Sequence, residues 1–329
     1  DGDRAAGPAL AVAGYVAPWD PRSRAALDRA PAPLTQLSPV WYRPAANGEL
    51  ELAADQDSGR SAETAPPPSG DVPLVPSVSN FRDGAWDGAL VAAILDDPAA
   101  RRAHIRALVA VARRPGAAGV DLDYESLPAD RRADYSRFVR DLAGALHDAG
   151  RTLSVTVHAK TEEPGEWDGA RAQDWRALGA AADTLRIMAY DHAWPGSPPG
   201  PVAPVPWVED VVSFAVSQVP RDKLVLGLAT YGYDWPDGGA AGDVAWADAV
   251  AIADAHGTEP RWDAASASPW FTYTDPDGTP HTVWFEDARS LAARLEVARR
   301  HGLAGVFVWR LGGEDPAIWD VLGEVTAAR

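Results

Sequence analysis

Three acidic residues spaced two apart carry the clearest chemical signal in this sequence. They are Asp121, Asp123 and Glu125, in the run A-A-G-V-D-L-D-Y-E at residues 117–125. Side chains alternate between the two faces of a strand, so the three carboxylates should share one face. Ionising one carboxylate raises the pKa of the next, so we expect at least one to keep its proton near neutral pH. The pattern therefore predicts general acid chemistry beside an ionised carboxylate.

Two other interpretations of the triplet stay open at this point. A row of carboxylates can form a solvated strand edge or a charge network at a barrel end, although the apolar residues between them favour an interior strand. The pair Asp121-x-Asp123 could instead hold the cation of a nucleotide sugar, as in a metal-dependent glycosyltransferase. Activity that survives in EDTA would exclude that alternative.

Predicted strands and helices alternate through most of the chain, and these elements must position the triplet. Short apolar strands are predicted at residues 9–16, 37–42, 72–78, 117–125, 153–158, 185–190, 224–229 and 304–309. A short helix is predicted just after Pro18-Trp19-Asp20, and longer helices are predicted at residues 97–114, 128–150, 207–219, 291–298 and 314–328. This alternation predicts an α/β TIM (β/α)8 barrel with its site at the C-terminal strand ends. An open doubly wound sheet is the rival, but no G-x-G-x-x-G follows the first strand.

Two segments interrupt this alternation of strands and helices. After an expected hairpin turn at Asn47-Gly48, residues 56–70 are polar and proline-rich, so the outer helix there is expected to be shortened or lost. Residues 238–285 read as a small α+β insertion between strands seven and eight, with a helix at 246–256 and a turn at 275–278. We predict one catalytic barrel domain over residues 1–329 that contains this insertion.

The bulk composition limits the partners. The net charge of −17 disfavours nucleic acid and anionic membranes, and no apolar run reaches the roughly 20 residues of a membrane helix. The absence of cysteine excludes disulfides and thiol chemistry and leaves the compartment open. Fourteen Trp against six Phe suit either a large core or flat surfaces on which sugar rings stack.

The acidic run resembles the D-x-x-D-x-D-x-E signature of glycoside hydrolase family 18, the chitinase-like family. Asp121, Asp123 and Glu125 match its last three acidic positions, whereas Ala118 stands at the first. M-A-Y-D at 188–191 resembles the family motif M-x-Y-D. The branch with spore-germination and cortex-lytic N-acetylglucosaminidases is resembled by four further stretches, P-G-P-V-A-P (199–204), G-L-A-T-Y-G-Y-D-W (227–235), H-T-V-W-F-E-D-A-R-S (281–290) and W-R-L-G-G-E-D-P (309–316). The LysM repeats often attached to that branch are absent from the sequence.

The resemblance implies a role for each matching residue and no metal or other cofactor. Glu125 would be the acid and then the base, and Asp123 would orient the acetamido group of the sugar, with Asp121 tuning Asp123. Tyr190 would hold the acetamido oxygen. The implied substrate contacts are Asp191, Met188, the floor residue Trp309, and the strand-end aromatics Tyr15, Tyr231 and Trp41.

The resulting hypothesis is a glycoside hydrolase that cleaves β-linked N-acetylglucosamine-containing glycans by a substrate-assisted retaining mechanism. Chitin, peptidoglycan and N-glycan stay open as substrates, as does endo or exo action. Ala118 keeps a catalytically weak, lectin-like barrel as the alternative. We expect a monomeric bacterial protein, secreted or at the cell surface, because the chain starts at Asp1 without Met and so looks processed, with no signal peptide visible.

Polar residues near the expected strand ends have plainer interpretations. His158 and His192 are expected to be structural hydrogen-bonding groups, because no third ligand completes a zinc site. Glu162, Glu163 and Glu166 are expected in a solvated loop or in a cleft wall.

Overall fold

The structure, a computed structural model, describes residues 9–27, 33–53 and 72–326. The predicted loop at 56–70 therefore lies outside the described residues. In chain order the strands are β1 (Ala11–Val16), β2 (Gln36–Pro44), β3 (Leu50–Leu52), β4 (Ser77–Ser79), β5 (Phe81–Arg82), β6 (Ala85–Trp86), β7 (Gly119–Asp123), β8 (Thr152–His158), β9 (Thr184–Met188), β10 (Leu224–Ala229), β11 (Tyr231–Pro236), β12 (Gly242–Ala245), β13 (Arg261–Asp263), β14 (Ser268–Thr274), β15 (Pro280–Trp284) and β16 (Gly305–Trp309).

Eight of these strands close into the predicted parallel barrel. Their order is β1-β16-β10-β9-β8-β7-β4-β2, and β2 pairs with β1 to complete the ring. β3 adds an antiparallel hairpin to β2 through the expected turn at Asn47-Gly48. Gly48 has a φ of +84°, and a Cβ there would lie 2.0 Å from the carbonyl oxygen of Ala100. The turn therefore requires glycine for both its backbone conformation and its close approach to a helix.

The helices of the described chain mostly cover the outside of the barrel. They are α1 (Pro21–Leu27), α2 (Gly88–Asp96), α3 (Pro98–Ala112), α4 (Arg132–Asp148), α5 (Asp168–Arg171), α6 (Trp175–Ala181), α7 (Val205–Gln218), α8 (Trp246–Ala255), α9 (Ala288–His301) and α10 (Ile318–Thr326). Three of them, α2, α5 and α6, were not predicted from the sequence. Within the described ranges no helix has the length and apolar character needed to cross a membrane.

The sequence explains the helix that follows β7. Tyr135, Phe138, Leu142 and Leu146 recur at helical spacing on α4, and all four are fully buried. Gly150 follows the helix with a φ of +66°, the left-handed conformation that commonly ends a helix. This helix packs against β8 and against α3, and α3 in turn packs on β7, the strand that carries the acidic residues.

The third barrel strand is shorter than predicted. Only Ser77–Ser79 form the strand, and Leu74 makes an isolated bridge to Leu37 and Ala117. Pro73 and Pro76 lack the N–H group that a strand needs for continuous pairing, which explains the interruption.

Between the seventh and eighth barrel strands the structure has a second, antiparallel sheet with one helix, and this sheet starts at Tyr231, before the predicted bounds of 238–285. The strand order is β12-β11-β15-β14-β13, and α8 packs against β11 and β12. Val244, Phe271, Val283 and Phe285 form its small buried core. The sheet includes Tyr231–Pro236, which follow β10 directly, so it begins beside the C-terminal end of a barrel strand.

Candidate active site

β7 places its side chains alternately inside and outside the barrel, as the triplet predicts. Asp121 and Asp123 are buried inside, while Val120 and Leu122 pack on the outer face. Tyr124 also faces outward, where its hydroxyl lies 2.5 Å from Nε2 of His104 on α3. The solvated strand edge is therefore excluded, because β7 pairs with β4 on one side and β8 on the other.

Asp121 is a fully buried carboxylate that the barrel satisfies from several strands. Hydroxyl groups donate to its two oxygens from Ser154 at 2.7 Å, Tyr15 at 2.8 Å, Ser77 at 2.9 Å and Thr156 at 3.1 Å. Arg186 of β9 lies with Nη1 3.7 Å from its Oδ1. A buried charge needs this combination of a partner and hydrogen bonds.

Arg186 is a site residue that sequence analysis missed. Its Nη1 also donates to the hydroxyl of Tyr15 and to Oγ of Ser38, both at 2.8 Å. The guanidinium thus joins three barrel strands beneath the cleft. The available signal was a lone arginine within the apolar run L-R-I-M, where a charge must have a buried partner.

Asp123 lies one step above Asp121, at the end of β7 and at the base of the cleft. Burial and the neighbouring charge of Asp121 raise its pKa to about 8, and Arg186 opposes this rise. Its Oδ1 is buried and has no hydrogen-bond partner among the described residues. Buried polar atoms are rarely left unpaired, so this oxygen is available for a donor group of a ligand.

Glu125 follows β7 and projects into the cleft with its side chain 13% exposed. Burial, followed by the charges of Asp123 and Asp191, raises its pKa well above the ordinary value. Its carboxyl group can therefore hold a proton at neutral pH and donate it. Nδ1 of His158 lies 3.5 Å from Oε2 of Glu125.

Asn80 fixes the backbone that presents Glu125. Its Oδ1 accepts from the Glu125 N–H, and its Nδ2 donates to the Glu125 carbonyl, both at 2.9 Å. The following residue, Ser126, has a φ of +55°, which turns the chain away from the barrel. Sequence analysis gave Asn80 no role, because its contact with the backbone after β7 depends on barrel closure.

The strand-six motif lies on the opposite wall of the cleft. The ring of Tyr190 packs edge-on against Tyr231 and Phe307, each with centroids 6.2 Å apart. Asp191 has a φ of +58°, and its Oδ1 accepts from the hydroxyls of Tyr231 at 2.5 Å and Tyr233 at 2.7 Å. Enclosure by protein raises the pKa of Asp191, and these two hydrogen bonds lower it, with a net rise. The carboxylate remains open to solvent through the cleft.

Trp309, at the end of β16, lies beside the acidic residues. It is half-buried and packs edge-on against Tyr15, with ring centroids 5.6 Å apart. Tyr15 is 1% exposed and bonded to Asp121, so it supports the floor of the cleft more than its surface. Met188 is half-buried and lines the same cleft.

Trp41 is the one predicted contact that the structure does not bring to the site. Among the described cleft-lining residues, β2 contributes Val40, whereas Trp41 packs against the barrel core from the other face. The pairing of β2 with β4 shifts register between Val40 and Tyr42. This irregularity and the strand alternation correct the placement expected for Trp41.

Trp309→Ala should weaken oligosaccharide binding more than it lowers the melting temperature, because a half-buried floor residue contacts ligand and protein alike. We expect Kd to rise about tenfold, which corresponds to about 1.4 kcal/mol. Calorimetric titration and thermal unfolding of the same samples measure the two effects. A large loss of stability with unchanged affinity would make Trp309 a core residue only.

The pH dependence should follow the proton on Glu125. Because its pKa is raised and its acid form is needed, kcat/KM should fall on the alkaline side at a pH well above the ordinary glutamate value of about 4.3. Asp123→Asn removes a negative neighbour, so this alkaline limb should move to lower pH. The profile is measured on an activated aryl glycoside, and a shift to higher pH would contradict the assignment. Glu125 and Asp123 titrate as a pair, so the limb reports both.

The closed (β/α)8 barrel and the acidic row on its fourth strand define a class of glycosidase-like barrels. The chain belongs to Glycosyl hydrolases family 18, whose sequence profile matches residues 76–314. It is 33% identical over 259 residues to the cortical fragment-lytic enzyme of Bacillus subtilis, covering 76% of this chain and 59% of that protein. It is 32% identical over 248 residues to the putative sporulation-specific glycosylase YdhD of the same organism, covering 74% and 59%.

Solved structures agree with this assignment. The spore cortex-lytic enzyme SleL of Bacillus cereus superposes with a TM-score of 0.86 at 28% identity, covering 97% of this chain and 75% of that one. A chitinase from Chromobacterium violaceum gives a TM-score of 0.86 at 33% identity, covering 98% and 100%. The chain spans about three-fifths of the length of the curated relatives described above.

Proposed function

We propose that this protein hydrolyses β-linked glycans that contain N-acetylglucosamine, by a substrate-assisted mechanism that retains the anomeric configuration. The observation that carries the proposal is the pairing of Glu125, whose raised pKa favours the proton-donating form, with Asp123, whose Oδ1 is buried and unpartnered among the described residues. One group can donate the proton, and the other can bind an amide N–H of the substrate.

Each chemical step has a residue at the site. Glu125 gives its proton to the glycosidic oxygen as the bond to the anomeric carbon breaks. The acetamido oxygen of the same sugar attacks that carbon, while Asp123 holds the acetamido N–H and stabilises the positive oxazolinium that forms. Water then attacks the same carbon, and Glu125 takes a proton from it. Family 18 is a known exception to the scheme that uses two protein carboxylates.

Tyr190, Asp191 and Trp309 would hold the reacting sugar. Tyr190 would bind the acetamido oxygen, and Trp309 would lie beneath the ring. Asp191, kept in place by two tyrosine hydroxyls, would help to hold the distorted sugar. Interactions that distort the sugar lower the barrier only if they are stronger in the transition state than in the bound substrate.

The names of the relatives support a substrate of peptidoglycan or chitin type. The matches include cortical fragment-lytic enzymes, a chitinase and a di-N-acetylchitobiase of Rattus norvegicus. Within this range we propose N-acetylglucosaminidase action, and a secreted or cell-surface location because such glycans lie outside the cytoplasm. We also propose that the protein works as a monomer.

Mass spectrometry of reaction products tests this function. The substrates are chitooligosaccharides of increasing length and glycan strands prepared from digested cell wall. We expect fragments with N-acetylglucosamine at the new reducing end, and their lengths distinguish endo from exo action. Intact substrates after prolonged incubation would contradict the proposal.

A lectin-like barrel is the second candidate, since Ala118 replaces the first acidic position of the family signature. In the structure the Ala118 backbone pairs with Leu74 and Thr152, while the charge of Asp121 is met by Arg186 and hydroxyl groups. Asp121 therefore has its partners without a carboxylate at position 118, which favours the enzyme. Binding of a chromogenic N-acetylglucosaminide without turnover would support the lectin.

A further inference from the structure

The cleft has two halves that meet at the catalytic residues. Trp86, Asp123, Asp191 and Trp309 line both halves, whereas Glu125 lines only one of them. A general acid protonates the oxygen that joins the cleaved sugar to the leaving sugar. The half that contains Glu125 and Tyr190 therefore holds the cleaved bond and extends to the side where the leaving sugar lies, and we call it the aglycone half.

Two exposed tryptophans form the outer walls of the aglycone half. Trp167 is 45% exposed and Trp194 is 53% exposed, which is unusual for side chains of this size. Each ring lies against a glycine: a Cβ on Gly169 would meet Trp167 at 2.3 Å, and a Cβ on Gly196 would meet Trp194 at 2.2 Å. The glycines thus allow each ring to lie close to the backbone while the ring stays accessible, as expected of a platform for a sugar.

His158 adds an unsatisfied polar group between these walls and the acid. It is 8% exposed, its ring packs 4.3 Å from that of Trp167, and its Nε2 has no hydrogen-bond partner among the described residues. Burial, followed by the charge of Lys160, lowers its pKa to about 3. It is therefore a neutral imidazole at physiological pH and adds no positive charge to this half.

The charges that face the aglycone half are negative. Glu162, Glu166 and Asp210 line it together with Asp191 and the catalytic pair. Burial lowers the pKa of His192, and Glu166 opposes this, so His192 is also mainly neutral near pH 7.

The remaining cation that lines this half is already engaged. Nζ of Lys160 lies 2.9 Å from Oε1 of Glu163, and it donates to the carbonyls of Gln173 at 2.6 Å and Ala170 at 3.4 Å. Its side chain is almost fully buried. Within the part of the chain that the structure describes, no free cation is therefore offered to an anionic group bound in this half.

We propose that the aglycone half selects a leaving sugar that is neutral or carries an amino group, and that Glu162 and Glu166 exclude a sugar that carries a carboxylate. The aromatic walls supply affinity that does not depend on charge, and like-charge repulsion supplies the discrimination. This inference rests on the proposed function for the position of the leaving sugar. The proposed selectivity distinguishes uncharged glycans, such as chitooligosaccharides, from glycan strands with free muramic carboxylates.

Binding to the Glu125→Gln protein tests the inference without turnover. The ligands are chitotetraose, its analogue with glucosamine at the reducing side, and a tetrasaccharide of alternating N-acetylglucosamine and N-acetylmuramic acid. At low salt we expect the muramic ligand to bind at least about tenfold more weakly than the other two. Added salt at about 0.5 M should narrow this gap, because exposed charges are then screened.

Charge variants locate the effect. Glu162→Gln combined with Glu166→Gln, in the Glu125→Gln background, should reduce the preference at least about threefold. Glu296→Gln, an exposed change on α9 beside Arg299, is the matched control and should leave the preference as it was. Trp194→Ala should weaken all three ligands together, because it removes a platform and no charge.

Two outcomes would overturn the inference: equal affinity for the neutral and muramic ligands at low salt, or a preference that the double variant leaves unchanged. Hydrolysis by the wild-type protein is measured separately on the same ligands. A protein that shows the binding preference but cleaves none of them would contradict the proposed function and still support the selectivity.

Discussion

Glu125→Gln should lower kcat by about 10²–10⁴-fold, the range expected when general acid–base catalysis is lost. Glutamine keeps the shape of the side chain but has no proton to give to the glycosidic oxygen. Turnover is measured on chitooligosaccharides and on an aryl glycoside with a good leaving group. The aryl glycoside should be less affected in the first step, because its leaving group needs less protonation.

The thermal stability of the Glu125→Gln variant is the control for this prediction. The pKa of Glu125 is raised in the folded protein, so ionisation of the unfolded side chain destabilises the fold as the pH rises above about 4.3. Glutamine removes this cost, so the melting temperature at pH 7 should be unchanged or higher. If the variant keeps turnover within threefold of the wild type at unchanged stability, another residue must be the general acid.

Removal of the acetamido group from the reacting sugar should abolish turnover. In the proposed mechanism that group is the nucleophile, and Asp123 only orients it, so a substrate with glucose or deacetylated glucosamine at that position has no attacking atom. Matched oligosaccharides that differ at this sugar alone give the comparison, with product release followed by mass spectrometry. Asp123→Asn should lower the rate chiefly through the attack step.

A thiazoline mimic of the oxazolinium provides a second test of the acetamido mechanism. It should inhibit the wild type, because active sites favour species that resemble the high-energy intermediate. Asp123→Asn should weaken this inhibition more than it weakens substrate binding, since the intermediate carries the positive charge that Asp123 faces. Efficient cleavage of a cello-oligosaccharide, which lacks every acetamido group, would leave a glycosidase with two protein carboxylates instead.

The sequence predicted the barrel and its acidic strand because local patterns determine both. The alternation of Asp121, Leu122 and Asp123 determines which side chains face inward. The helical spacing from Tyr135 to Leu146 determines which face of α4 packs on the barrel. These patterns do not depend on which strands become neighbours. Strand boundaries were less accurate where prolines interrupt pairing, as in β4.

The supporting residues could not be predicted because they meet only when the barrel closes. Arg186 reaches Asp121 from β9, and Asn80 reaches Glu125 across a sequence separation of 45 residues. His158 approaches Glu125 from the end of β8. Trp41 shows the reverse case, since the register shift in β2 turns a plausible strand-end aromatic away from the cleft.

The same arrangement explains how the site keeps several carboxylates close together. Arg186 and four hydroxyl groups surround the carboxylate of Asp121 inside the barrel. Burial, followed by the charge of Asp121, raises the pKa of Asp123, and burial, followed by the charges of Asp123 and Asp191, raises the pKa of Glu125. Each carboxylate therefore raises the pKa of the carboxyl group above it. The uppermost of the three, Glu125, can then keep its proton in the cleft.

The anomeric configuration of the first product tests the central claim of substrate-assisted retention most directly. Proton NMR of a chitooligosaccharide digest, recorded before mutarotation, resolves the α and β forms of the new reducing end. Two successive displacements at the same carbon, first by the acetamido oxygen and then by water, predict the β anomer as the initial product. An initial α anomer would mean a single displacement by water and would contradict the mechanism.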